Sequence, residues 1–242
     1  ITNYNKCSFH MTSKNIFLNG ILIKRYKRFF ADVQLDNNVV TAHCPNTGSM
    51  MGLLDAGNKV LLSKSDNEKR KLKYTLEVIK LKKSHVGVNT HRTNRIVEKA
   101  LDDNVFNFVK SATEIRREVK YGENSKVDFV VTTPKEEVYI EVKNVTLSRD
   151  KKTAEFPDAV TTRGSKHLIE LAKLKKKGIR AVMLYVVQRD DIDNFKIASD
   201  IDPVYAKNLK MAMKSGVEVF CYDCKFSKKD ISINSEKKFL NE

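Results

Sequence analysis

The segment VDFVVTTPKEEVYIEVK, Val127–Lys143, decides how the second half of the chain folds. Apolar residues alternate with polar ones on both sides of Thr132-Thr133-Pro134-Lys135, the pattern of two strands joined by a turn. A turn centred between Pro134 and Lys135 sets Val131 against Val138, Phe129 against Ile140 and Val127 against Val142, so one face is wholly apolar. A slip of one residue would set apolar groups against polar ones, and the register is strongly specified for that reason. The same register puts Asp128 directly across from Glu141, with Cβ atoms about 4.5–5.5 Å apart. Lys143 shares the face of Glu141. Opposed carboxylates repel, and acids are depleted in strands. A divalent cation removes the repulsion: Mg2+ or Mn2+ takes hard oxygen ligands, commonly one or two carboxylates completed by substrate phosphates. Lys143 is then placed to orient an attacking water or to stabilise charge on a phosphoryl group. The plainer alternative is a solvated strand face with an ion pair between Lys143 and an acid.

Working outward, a strand over Thr113–Tyr121 precedes the hairpin. If its connection is centred on Glu123, Glu118 lies opposite Asp128 and a third acid joins the row, although Arg117 then falls on the otherwise apolar face. Arg95–Asp102 has helical spacing, with Ile96, Ala100 and Leu101 on one side. A helix over Gly164–Lys177 stops at Gly178, a suitable residue just past a helix end. Ala181–Val187, AVMLYVV, reads as a strand buried on both faces. Asp202 and Pro203 supply an N-cap and first turn for a helix ending before Gly216, and VEVFCYD closes the sheet. The order is α-β-β-β-α-β.

The first half has a different texture. From Ile21 to about Lys83, short alternating stretches such as FFADVQL and KVLLSKS are separated by turn signals, which suggests a small β-barrel. The domain boundary falls at Ser84, giving residues 1–83 and 84–242. The chain of 242 residues carries 45 Lys and Arg against 30 Asp and Glu, a formal charge of +15. That field favours polyanions, nucleic acid first. No apolar run reaches the roughly 20 residues of a membrane span, the opening residues carry no signal-peptide pattern, and four scattered cysteines make no disulfide framework. The expectation is a reduced cytoplasmic protein that does not engage membranes.

Several other segments are candidates for phosphate contact. Lys24, Arg25, Tyr26, Lys27 and Arg28 interleave cations with a ring that can stack on a base, although a strand would send those cations to both faces. Lys69 and Arg70 belong to a second basic cluster, EKRKLK, which is equally readable as a solvated loop. In HCPNTGSM the turn-forming Asn46 and Thr47 can cradle a phosphate, or simply make a tight turn. Arg163 and His167 sit at a helix start suited to a phosphate, with Thr162 as a capping residue. Gln188 follows the buried strand towards the hairpin acids. Cys221 and Cys224 are three apart on a strand, so their thiols face opposite ways and make no zinc pair.

The hairpin resembles the PD-(D/E)xK nuclease core. More specifically, LIKRYKRFFADV, HCPNTGSM, SKSDNEKRK, EVKYGENSKVDF, YIEVKNVTL, FPDAVTTRGSKHL and VEVFCY, in order from about Ile21 to Tyr222, resemble the sugar fermentation stimulation protein A (SfsA) family. The resemblance implies an α/β chain in which an N-terminal OB-like β-barrel precedes a restriction-endonuclease-like domain with a mixed sheet. It also implies DNA binding without sequence preference and a regulatory role in sugar, particularly maltose, metabolism. By position, Asp128, Glu141 and Lys143 match the nuclease-like triplet, and Glu118 matches the acid of the EVKYG segment. One departure is that Val127, not Pro, precedes Asp128. The resemblance does not imply whether DNA is cut.

Overall fold

The computed structural model describes residues 17–121, 125–150 and 152–240. Its first unit is built from β1 (Leu18–Tyr26), β2 (Phe30–Leu35), β3 (Asn38–His43), β4 (Lys59–Lys64), β5 (Tyr74–Lys80) and β6 (His85–Gly87). The sheet order is β3-β2-β1-β4-β5-β6, and β3 also pairs with β5 through Ala42–Tyr74 and His43–Thr75. That pairing closes five strands into a barrel, which leaves no free edge between β3 and β5. Alternation fills the interior with Leu22, Ala31, Val33, Ala42, Val60, Leu62 and Leu76, all essentially inaccessible. Each larger aliphatic among them contributes about 1.5–3 kcal/mol by leaving water. The first sheet continues through β6, so Gly87 and not Lys83 is its last residue.

After a 3-10 turn at Thr90–Arg92 come α1 (Thr93–Asp102), β7 (Glu114–Tyr121), β8 (Ser125–Thr132), β9 (Glu137–Val145), β10 (Thr153–Phe156), α2 (Thr162–Lys176), β11 (Arg180–Val187), β12 (Asn194–Ile197), α3 (Pro203–Lys214), β13 (Glu218–Phe226), β14 (Ile231–Glu236) and β15 (Lys238–Leu240). The main sheet runs β14-β13-β11-β9-β8-β7 and is mixed: β9, β11 and β13 are parallel, the outer pairings antiparallel. β11 is buried on both faces. Val182, Leu184 and Val186 join the α1 side, while Ala181, Met183, Tyr185 and Val187 join α2 and α3. Cys221 and Cys224 fall in opposite cores, as a spacing of three on a strand requires.

The structure corrects some expectations. β14 lies beyond β13, so VEVFCYD does not end the sheet, and β10, β12 and β15 form a small parallel sheet of their own. Thr161, not Thr162, caps α2 by accepting from Gly164 N–H. Asp202 caps α3 through Tyr205 N–H, as expected, and its other oxygen accepts Thr161 N–H at 2.8 Å. One carboxylate therefore ties the starts of both helices together.

The two units share a seam. β6 pairs with β5 and bridges Arg189, and Gly87 N–H donates to Gln188 C=O at 2.8 Å. Leu61 and Val78 of the barrel pack into the α1 core. A Cβ on Gly87 would lie 2.4 Å from Oε1 of the buried Gln188 side chain, so a larger residue would have to displace that side chain.

Candidate functional site

The hairpin register is as the alternation predicts for Phe129–Ile140 and Val131–Val138. Beyond Phe129 the ladder opens, and the gap is filled by Asp128 itself, whose Oδ2 accepts Val142 N–H at 2.7 Å. The neighbouring pairing of β7 with β8 is also distorted at the same level. Arg117 pairs with Phe129 and Val119 with Val127, while Glu118 between them takes φ +51°. This break switches faces: Val127 packs in the α2/α3 core with Tyr121 and Val130, not with Phe129 and Val131. The connection around Glu123 lies outside the described residues. Arg117 reaches Glu98 of α1 at 3.2 Å, which explains a cation at the edge of an apolar face. Glu118 is exposed and contacts neither hairpin acid among the described residues.

Three of the four expected catalytic residues converge. Glu141 is buried, and its Oε1 accepts from Lys143 Nζ at 2.6 Å and from His167 Nδ1. Its Oε2 is buried with no partner among the described residues. A buried carboxylate oxygen without a donor is costly. Burial pushes Glu141 up, but the His167 hydrogen bond and the Lys143 charge outweigh it, and the carboxyl ionises below its ordinary range. Asp128 goes the other way: burial and the charge of Glu141 raise it, despite bonds from Val142 N–H and from Asn94 Nδ2 at 2.8 Å. Two acids pushed in opposite directions at one place make the hairpin a candidate functional site.

α2 supplies the rest. Arg163, His167 and Glu170, spaced i, i+4 and i+7, share one helix face. His167 is buried, and Arg163 Nε approaches its Nε2 at 3.4 Å. The tautomer protonated at Nδ1 serves both contacts, donating to Glu141 and accepting from Arg163. Tyr121, at the end of β7, has a buried hydroxyl with no partner among the described residues. Burial, then the charges of Glu141, Glu170 and Asp128, raise its pKa strongly. Sequence reading missed Asn94, Tyr121 and Glu170. Helical spacing from His167 was a signal for Glu170; nothing local marks Asn94, whose partner is 34 residues away.

A hard cation fits part of this arrangement. Asp128 and Glu141 offer carboxylate oxygens, and the unpartnered Oε2 is the sort of atom a cation would satisfy. No group of three or more His, Cys, Asp or Glu is gathered for a metal among the described residues. Water and a ligand's own oxygens would have to complete the shell. Gln188 does not edge these acids: its amide donates to Thr93 at 3.0 Å and Asn144 at 2.6 Å, inside the seam.

The remaining candidates are scattered. Lys27 and Arg28 stand exposed at the β1–β2 turn, both with positive φ, beside exposed Phe29. Lys24 pairs with Asp32 at 3.7 Å and lies over the Tyr26 ring, which stacks on Phe30. Arg25 is occupied differently: its guanidinium donates to Asn46 C=O at 2.7 Å and Gly48 C=O at 3.2 Å. It braces the HCPNTGSM turn instead of pointing to solvent. Asn46 is buried and accepts Gly48 N–H, while Thr47 is exposed. Gly48 approaches Asp158 so closely that an added Cβ would lie 2.2 Å from it. Lys69 is exposed, and Arg70 donates to Thr75 at 2.8 Å.

Residues 23–88 match the family described as the SfsA N-terminal OB domain, and residues 91–230 match the sugar fermentation stimulation protein RE domain. A sugar fermentation stimulation protein homolog of Pelagibacter ubique (strain HTCC1062) is 54% identical over 224 residues, 93% of this chain and 97% of that protein. One of Maricaulis maris (strain MCS10) is 49% identical over 212 residues, 87% and 90% of the two chains. The structure of Pyrococcus furiosus SfsA in complex with Ca2+ superposes with a TM-score of 0.85 at 24% identity, over 94% of this chain and all of that one. Barrel, mixed-sheet domain and sequence agree, and the chain belongs to the sugar fermentation stimulation protein (SfsA) family.

Proposed function

We propose that the chain binds DNA without sequence preference, and that a divalent cation, Mg2+ or Mn2+, held by Asp128 and Glu141 engages a backbone phosphate. The observation that carries this reading is Glu141 Oε2, buried and unpartnered among the described residues, beside an acid whose ionised form burial and then Glu141 disfavour. Lys143 and His167 both bond the other oxygen, so they hold the carboxylate ionised while leaving Oε2 free. Arg163 lies next to His167 and adds a cation for a phosphate oxygen. A bound cation would neutralise the carboxylates, polarise a phosphoryl oxygen and lower the pKa of a bound water. The formal charge of +15 supports a polyanionic partner, and the Ca2+ carried by the Pyrococcus furiosus relative supports a hard-cation site. On this reading a regulatory role in sugar, particularly maltose, metabolism acts through DNA binding.

Lys143 favours a second reading, phosphodiester hydrolysis. Its side chain is 14% exposed and its ammonium lies 2.6 Å from Glu141, where it can hold a nucleophilic water or stabilise developing charge. The test follows a labelled oligonucleotide, single-stranded, duplex or branched, by anisotropy and by gel. Mg2+, Mn2+ and EDTA are compared for wild type and Glu141→Ala. Binding to all three forms, strengthened by cation in the wild type alone, supports the proposal. Cleavage by the wild type alone adds the second reading. Absence of DNA binding under every condition overturns the first.

A further inference from the structure

Between the barrel and α1 lies a polar cleft of about 380 Å³ that the hairpin site does not include. Its walls carry Lys64, Arg70, Arg92 and Arg95 together with His43 and His91, whose rings are 6.4 Å apart. Two carboxylates face these cations, Asp66 and Glu77. Glu77 is already saturated: Ser63 donates to one oxygen at 2.6 Å, while Asn89 at 3.0 Å and Arg92 at 2.9 Å donate to the other. The pair of Glu77 and Arg92 cancels, which leaves Lys64, Arg70 and Arg95 against Asp66. Lys64 and Arg95 are exposed and their side chains make no hydrogen bond or ion pair among the described residues. Cations in excess of their countercharge in a concave polar site raise the local concentration of anions.

The position of the cleft is as informative as its charge. Arg95 enters it from the first turn of α1, and the preceding residue, Asn94, hydrogen-bonds Asp128 of the hairpin. We propose that this cleft is a phosphate subsite, receiving the backbone of a nucleic-acid strand that runs from the barrel to the hairpin acids. The identity of the strand rests on the DNA-binding reading above; the preference for a phosphate group does not. His43 reports on the cleft: burial first, then the positive charges of Arg70 and His91, hold its ring below the ordinary imidazole pKa. A phosphate in the cleft offsets that positive field and raises the ring's titration midpoint.

The experiment observes the histidine ring signals by NMR in the full chain while inorganic phosphate is added, and separately while a single-stranded oligothymidylate is added. His85, paired with Asp190 at 2.8 Å, is the internal reference. Phosphate is expected to move His43 and His91, to raise the His43 midpoint, and to leave His85 unmoved. A Lys64→Gln/Arg95→Gln variant, at two exposed positions without side-chain partners among the described residues, is expected to keep the fold and to need at least about tenfold more phosphate, a loss of about 1.4 kcal/mol. An oligonucleotide that moves the same rings in the wild type identifies a strand as the source. Response to phosphate but not to the oligonucleotide keeps the subsite and overturns the strand. If phosphate moves neither ring, or moves both equally in the variant, the subsite is overturned even where the oligonucleotide binds elsewhere.

Discussion

Replacing Asp128 with asparagine is expected to stabilise the cation-free protein, because the native residue is kept against its own electrostatics. Continuing the observed register sets it opposite Glu141. Two unit charges about 5.5 Å apart at an effective dielectric of about 20 repel by roughly 3 kcal/mol. Lys143, 2.6 Å from Glu141, cancels part of this and leaves about 2 kcal/mol. Against it stand the Val142 and Asn94 bonds, which weaken by about 1 kcal/mol in total when their acceptor loses its charge. The net gain is about 1 kcal/mol, or roughly 2–4 °C in melting temperature for a chain of this size. The sign with pH follows from the raised Asp128 pKa. Stability from protonating Asp128 is present below its unfolded value and lost as pH rises through the folded one, so the variant's advantage appears at neutral pH and closes in acid. Thermal unfolding in EDTA at several pH values measures it. An asparagine variant equally or less stable at pH 7 would refute the argument that burial and repulsion together disfavour the charge of Asp128.

Other changes separate the roles of individual groups. Asp202→Ala removes the α3 cap, about 1 kcal/mol, and orphans Thr161 N–H, about 1–3 kcal/mol more; urea unfolding should therefore show a loss of roughly 2–4 kcal/mol, and a loss under 1 would show that α2 does not depend on that bond. Gly87→Ala forces a Cβ against buried Gln188 and is expected to cost about 1–3 kcal/mol, with Gly48→Ala milder because the end of the Asp158 side chain can swing away. Lys27→Gln/Arg28→Gln should lower the salt slope of single-strand binding by about 0.7 for each phosphate that is no longer neutralised, and an unchanged slope would discard the β1–β2 turn as a DNA surface. His167→Ala removes the bond that keeps Glu141 ionised. The pH below which cation stabilisation is lost should then rise, and an unmoved profile would exclude His167 from that role.

Much of this was legible because the decisive information is local. Period-two alternation fixed the hairpin from Phe129 to Ile140, and centring the preceding connection on Glu123 gave the β7 register that pairs Arg117 with Phe129 and Val119 with Val127. The cap of α3 was legible because Asp202 and Pro203 act within one turn. What escaped depends on the third dimension. Asp128 breaks its own ladder to take Val142 N–H, which turns Val127 into the other core, and no pattern in the strand announces that. Glu118 shared the expected register yet left the row through a positive φ. Arg25 read as a DNA contact because it stands among cations; the carbonyls it braces lie more than twenty residues on. His91 and Arg95 drew no notice because their neighbours in the cleft come from the other unit.

The central claim is that Asp128 and Glu141 together hold a divalent cation. The most direct measurement is a titration of the protein with Mn2+ followed by electron paramagnetic resonance, in which free Mn2+ is counted directly, for wild type, Asp128→Asn and Glu141→Gln. The account predicts one site per chain in the wild type, tightened by adding an oligonucleotide and absent from both variants. Equal Mn2+ binding by all three proteins would contradict it.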